Sequence, residues 1–148
     1  MADTWIIPCN TKYFDIAEHF RTKNEVIWRN YFTIKTNDIV YVYIGGDTRQ
    51  IKYRCVAIES SVDDTVLAEN TYAIRQKKIN NYFSKKEKYM RLRLEYTYPD
   101  GALTYEQLKD NGLGQVQLQA RPDRHVRQYI DSVNLILQRH ISAGDEND

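Results

Sequence analysis

Asn37-Asp38-Ile39-Val40-Tyr41-Val42-Tyr43-Ile44-Gly45-Gly46-Asp47 is the stretch on which the fold turns. Asn37-Asp38 is a turn pair. Beyond it Val40, Val42 and Ile44 fall on one face of a strand, and Tyr41 and Tyr43 on the other. Gly45-Gly46-Asp47 then supplies a hairpin turn, and Ile51 to Ile58 alternates as the partner strand. Upstream, Thr4 to Pro8 is a short apolar strand stopped by Pro8. Asp15 caps a short helix that puts Ile16 and Phe20 on one face. Downstream, residues 60–86 are polar and form a long excursion, of the kind that often carries function. Tyr89 to Tyr98 is a strand in which Met90, Leu92, Leu94 and Tyr96 alternate with Arg91, Arg93 and Glu95. Thr104 and Gln107 make a capping box for a helix ending near Asn111-Gly112. Val116 to Gln119 alternates as a last strand. Asp123 caps a final helix with Val126, Ile130, Val133 and Leu137 on one face. The expected fold is α+β: a curved mixed sheet or open barrel of about five or six strands with two or three flanking helices. Residues 1–142 form one domain, and 143–148 a disordered acidic tail.

The bulk numbers agree. A chain of 148 residues has room for one core, and 42% hydrophobic with 28% charged residues is an ordinary globular composition. No apolar run approaches the roughly 20 residues of a membrane span. The 12 tyrosines suit half-buried strands and stacking surfaces. The net charge of +1 hides a basic segment from Arg75 to Arg93, opposed there by Glu87 alone, and the acidic end Asp145, Glu146 and Asp148. Cys9 and Cys55 lack metal-ligand spacing and read as buried thiols. With no signal peptide visible at the N-terminus, a reducing, cytoplasmic location is expected.

Catalytic constellations are not expected. The sequence has no Gly-rich phosphate loop, no nucleophile elbow and no paired-histidine metal motif. His19, His125 and His140 read as solvated helix positions. Asp100, Glu106 and Lys109 lack the spacing of a metal-dependent nuclease; Glu106 and Lys109 read as an ion pair on one helix face. Asp63-Asp64 reads as a turn. No metal or cofactor is called for.

Binding remains. Trp5 lies in an apolar strand and reads as core. Trp28 stands where a buried strand, Val26-Ile27, gives way to polar chain; it either closes the core or walls a pocket. Asn10 follows Pro8-Cys9 and is either a turn-former or a base-reading amide, since a carboxamide both donates and accepts.

The run Trp5-Ile6-Ile7-Pro8-Cys9-Asn10, then Tyr13-Phe14-Asp15, Trp28, the 37–45 strand, the 51–58 strand, Lys88 to Tyr96 and Glu106 to Ile130 resembles the EVE domain, a PUA-like fold related to YTH domains. The resemblance runs from about Thr4 to Ile130. It implies a curved, barrel-like sheet and a binding module. Relatives fused to restriction enzymes or GTPase subunits recognise 5-methylcytosine, 5-hydroxymethylcytosine or N6-methyladenine in DNA, and YTH relatives read N6-methyladenine in RNA. Carried over, Asn10 hydrogen-bonds the base edge with Cys9 beside it, where relatives often have serine. Trp28 is the first aromatic wall. The loop expected to hold the second wall, Asn111 to Gly114, has no aromatic, so Leu113 or Tyr13 stands in. Gln117 and Gln119 reach the base edge. Lys77, Lys78, Lys85, Lys86, Arg121 and Arg124 are the candidates for holding the backbone.

The expected function is a non-catalytic reader that flips a modified base of DNA into this pocket, as the recognition module of a modification-dependent restriction or defence system. Any nuclease or NTPase would lie on a fused or partner chain. A modified-RNA reader, an enzyme on a free nucleotide with Asp15 or Glu25 near Trp28, and a tyrosine-faced protein-interaction domain are the alternatives.

Overall fold

The structure, a computed structural model, describes residues 2–31, 33–70, 88–116 and 119–146. One sheet contains β1 (Thr4–Cys9), β2 (Glu25–Arg29), β3 (Ile39–Ile44), β4 (Gln50–Val62) and β5 (Tyr89–Thr97), in the order β1-β3-β4-β5-β2. β1 lies parallel to β3, and the other neighbours are antiparallel. The helices are α1 (Ile16–Thr22), α2 (Tyr105–Asp110) and α3 (Arg124–Glu146), with a 3₁₀ turn at Asp64–Glu69.

β4 makes the sheet curl. It pairs with β3 from Gln50 to Val56 and with β5 from Tyr53 to Val62, so the two halves are offset along it. Of the register shifts along β4, two set the faces at the bend. Val42 faces Tyr53 while Tyr43 faces Ile51, so Lys52 has no opposite number on β3. Arg54 faces Tyr96 while Cys55 faces Leu94, so Glu95 has none on β4. Each bulge moves later side chains to the other face. Tyr53 and Leu94 pack inside the curl, whereas Ile51 and Tyr96 pack outside. The single-face alternation expected through Tyr96 therefore breaks after Leu94.

Each face has its own core. Inside, residues from all five strands, among them Ile7, Cys9, Trp28, Val42, Cys55 and Leu92, close on Phe14, Ile16 and Ile34. Outside, Ile6, Tyr41, Ile51 and Tyr98 are covered by Leu103, Leu108 and Leu113 around α2 and by Val126 and Ile130 of α3. The helix starts are capped as the sequence indicates. Asp15 accepts from the Glu18 amide at 3.2 Å, Asp123 from the Val126 amide at 3.1 Å, and the Thr104–Gln107 capping box closes at 3.3 and 3.1 Å. Gly112, at φ 106°, ends α2, and a Cβ there would meet the Asp123 carboxylate at 3.4 Å.

Buried Asp38 ties the starts of β1 and β3 together. Its carboxylate accepts from the amides of Asp3 and Lys35, both at 2.9 Å, and from Trp5 Nε1 at 3.0 Å. Burial alone would raise its pKa; these three bonds outweigh burial and hold it below the usual carboxylate range. Trp5 is therefore core, as expected.

Four expectations are corrected. β1 continues past Pro8 to Cys9. His19 is not solvated: it is fully buried, its Nε2 lies 2.7 Å from the Glu25 carbonyl, and its ring sits 5.2 Å from Phe14 and 5.8 Å from Phe20. The strand expected over Val116–Gln119 does not form in its described part; an isolated bridge, Ile6 to Ala120, stands in its place. Beyond Ser142 the helix α3 continues to Glu146 where a disordered tail was expected.

Candidate nucleic-acid interface

A sheet that curls without closing leaves two edges, β1 and β2, each with backbone groups to satisfy. Midway along, each finds a partner. Against β2, the Asn70 side chain imitates a strand: Ile27 N–H donates to Oδ1 at 3.0 Å and Nδ2 donates to the Ile27 carbonyl at 2.7 Å. Against β1, Ile6 and Ala120 exchange backbone bonds, both at 2.8 Å.

Ala120 packs with the outer core, and its neighbour Gln119 reaches instead to the chain just past β2. Gln119 is 7% exposed. Its Oε1 accepts from the Tyr31 amide, two residues past β2, so this side chain spans the seam between the two edges. That bond fixes the amide's orientation and makes Nε2 a donor. Nε2 is shut off from solvent and has no acceptor among the described residues.

Aromatic and basic groups flank the seam. The Arg29 guanidinium lies 4.2 Å above the Tyr31 ring. Trp28, 3% exposed, meets Phe14 edge-on at 5.9 Å. On the β1 side, Arg121 lies 5.3 Å from the Trp5 ring centre, with Nη2 3.2 Å from Asp3 Oδ1.

The residues singled out in the sequence divide accordingly. Cys9 and Trp28 share the inner core, and Gln119 stands on the seam. Burial, helped by Asp15, pushes the Cys9 thiol up to about 12, so it is a packing group at neutral pH. Asn10 is exposed, and its Oδ1 accepts from the Lys12 amide at 3.0 Å, the bond of a turn-forming asparagine. Tyr13 is half-buried, its amide donating to the Asn10 carbonyl at 3.0 Å. The same turn carries Phe14 onto Trp28, which links Asn10 to the tryptophan indirectly. Leu113 is not brought to Trp28; it packs under the helices with Leu108 and Val126 on the outer face. Arg121 and Arg124 are exposed, Arg124 opening α3. Gln117, Lys77, Lys78, Lys85 and Lys86 lie outside the described residues.

Arg29, Tyr31 and Asn70 were not singled out in the sequence. For the first two the signal was alternation at a strand end, which places positions 29 and 31 on the same side.

A charged groove of about 650 Å³ runs elsewhere, beside β2 between α1 and Glu69. Its centre is Arg91, which pairs with Glu25 at 3.3 Å, Glu59 at 2.9 Å and Glu69 at 3.1 Å. The Arg91 bond holds the Glu69 carboxyl below its ordinary range. This network satisfies itself. Among the described residues no cluster of His, Cys, Asp or Glu is placed to hold a metal ion, and no helix is long and apolar enough to cross a membrane.

No protein-family model matches the sequence, and no curated protein matches it. The fold has counterparts among solved structures. The ASCH protein of Zymomonas mobilis superposes with a TM-score of 0.64 at 15% identity, covering 88% of this chain and 94% of its own. A hypothetical protein from Leishmania major gives 0.63 at 16% identity, over 93% and 98%. Human THYN1, solved in complex with DNA containing 5-methylcytosine, gives 0.62 at 8% identity, over 90% and 97%. At these identities the likeness is one of fold, and the fold of this chain is PUA-like.

Proposed function

We propose that this chain is a non-catalytic, EVE-type module that takes a modified base of DNA at the seam between β1 and β2. The observation that carries the proposal is the composition of that seam. A buried amide bridges it, a guanidinium stacked on a tyrosine lies at its β2 end and an exposed arginine follows on the β1 side, on a fold shared with a protein solved in complex with DNA containing 5-methylcytosine. A flipped base leaves its stack at a cost of a few kcal/mol. Stacking on an aromatic side chain returns roughly 1–3 kcal/mol. Tyr31 offers that surface where the base replaces or joins the Arg29 guanidinium on its ring. Trp28 does so only after a covering side chain such as Phe14 gives way, since its ring is 3% exposed. Arg121 and Arg124 hold phosphates beside the entry. In this proposal any cleavage activity of a restriction or defence system belongs to a fused or partner chain, and the site of action is the cytoplasm.

The test is fluorescence-anisotropy binding to matched duplexes carrying cytosine, 5-methylcytosine, 5-hydroxymethylcytosine, adenine or N6-methyladenine, repeated at rising salt. The expected result is preference for one modified duplex, affinity falling steeply with salt, and about tenfold weaker binding by Tyr31→Ala. Equal, weak binding to every duplex by the wild type overturns the proposal; the same panel in RNA then follows.

A further inference from the structure

We infer that Gln119 reads the ligand through a hydrogen bond it donates, so that the bound base must turn an acceptor ring nitrogen, one without hydrogen, towards the seam. The inference rests on the proposed base-binding role and specifies the chemistry of its ligand.

A carboxamide offers one acceptor and one donor end, and a free amide turns either to a ligand. Gln119 is not free. The Tyr31 amide donates to Oε1, and turning the side chain over would set Nε2 against that N–H, donor against donor. The backbone exchange between Ile6 and Ala120 fixes the chain one residue away. What faces the seam is therefore Nε2, closed to solvent and without an acceptor among the described residues. Buried donors in folded proteins are almost always paired, and one left unpaired at a candidate site marks a place for a missing partner. Asn70, the equivalent amide at the opposite edge, has both ends used by Ile27.

The chemistry sorts bases. Cytosine and its 5-methyl derivative present N3 as an acceptor, whereas thymine, with the same 5-methyl group, presents N3–H. Adenine N1 is an acceptor, whereas hypoxanthine carries N1–H. A fixed donor favours the first member of each pair and sets two donors face to face with the second.

Gln119→Glu makes this decisive. One carboxylate oxygen keeps the Tyr31 bond, while the other replaces the donor with an acceptor. Gln119→Met fills the same space with neither. Binding would be measured by anisotropy on single-stranded oligonucleotides, so that no base pair has to open, with 5-methylcytosine, thymine, adenine or hypoxanthine at the central position. Thermal melting would check the fold of both variants. The wild type should prefer the acceptor member of a pair by about tenfold, the worth of one hydrogen bond near 1.4 kcal/mol. The Gln119→Met variant should lose the preference, and the Gln119→Glu variant should reverse it towards the N–H member. If Gln119→Glu fails to fold, loss of the preference in Gln119→Met decides. Wild-type binding whose preference survives in Gln119→Met overturns the role of Gln119 and leaves the base-binding proposal standing. Absence of wild-type binding to any oligonucleotide overturns both.

Discussion

Each edge of the curled sheet has a buried carboxamide beside it, and the two are used differently. At β2 the Asn70 carboxamide is spent in full, both ends bonded to Ile27. At β1 the chain itself supplies the pairing through Ala120, and the neighbouring Gln119 carboxamide is half spent. The lesson is about where unmet demand is placed. A buried amide with nothing left to give is architecture; one with a donor left over, held in a single orientation, is a receptor for an acceptor.

Substitutions can break or sharpen that contrast. The largest loss should come from the inner core that supports both edges: Trp28→Ala removes a buried indole and should cost about 3–5 kcal/mol in denaturant unfolding. A binding defect in that variant would therefore need a melting curve beside it. Asn70→Ala strips both bonds from Ile27 and leaves its N–H and carbonyl buried without partners, at a cost of about 2–3 kcal/mol by the same measurement.

A pH scan of thermal stability should show a further, smaller effect. Burial lowers the pKa of His19, and Lys23 adds to this, while the bond to the Glu25 carbonyl opposes it. The unfolded chain then binds more protons than the folded one below about pH 6.5, so stability should fall as pH drops from there. His19→Phe should flatten that slope. Asp38 adds a second loss at lower pH. Its folded pKa is depressed, so its contribution is complete above about pH 4 and disappears as the carboxylate protonates.

The smallest change is expected at Gln119. Gln119→Met removes the acceptor used by Tyr31 but also removes the unmet donor, and the two should nearly cancel, within about 1 kcal/mol. Equal destabilisation by Asn70→Ala and Gln119→Met would erase the contrast between the edges.

Much of this was legible in the residues. The 37–58 hairpin was, because period-two alternation with a glycine turn has few other meanings, and the three helix caps were, because capping is local chemistry. The bulges at Lys52 and Glu95 were not: one inserted residue swaps faces while leaving an alternating sequence that still looks regular. His19 was misread from its charged neighbours Glu18 and Arg21, although positions 16, 19 and 20 share one helix face and already placed it beside Ile16 and Phe20. The site was half legible. Trp28 and Gln119 stood out by residue type, yet only tertiary pairing decides that Gln119 faces the seam and Leu113 the opposite core. Asn70 is one polar residue in a polar stretch, and nothing local marks it as a strand substitute.

The most direct measurement is an NMR titration that follows the side-chain amide resonances of Gln119 and Asn70 as a modified oligonucleotide is added. A base acceptor meeting Gln119 should move its Nε2 proton signals downfield while those of Asn70 stay in place. Saturable binding that leaves the Gln119 amide unmoved, or moves Asn70 instead, would contradict it.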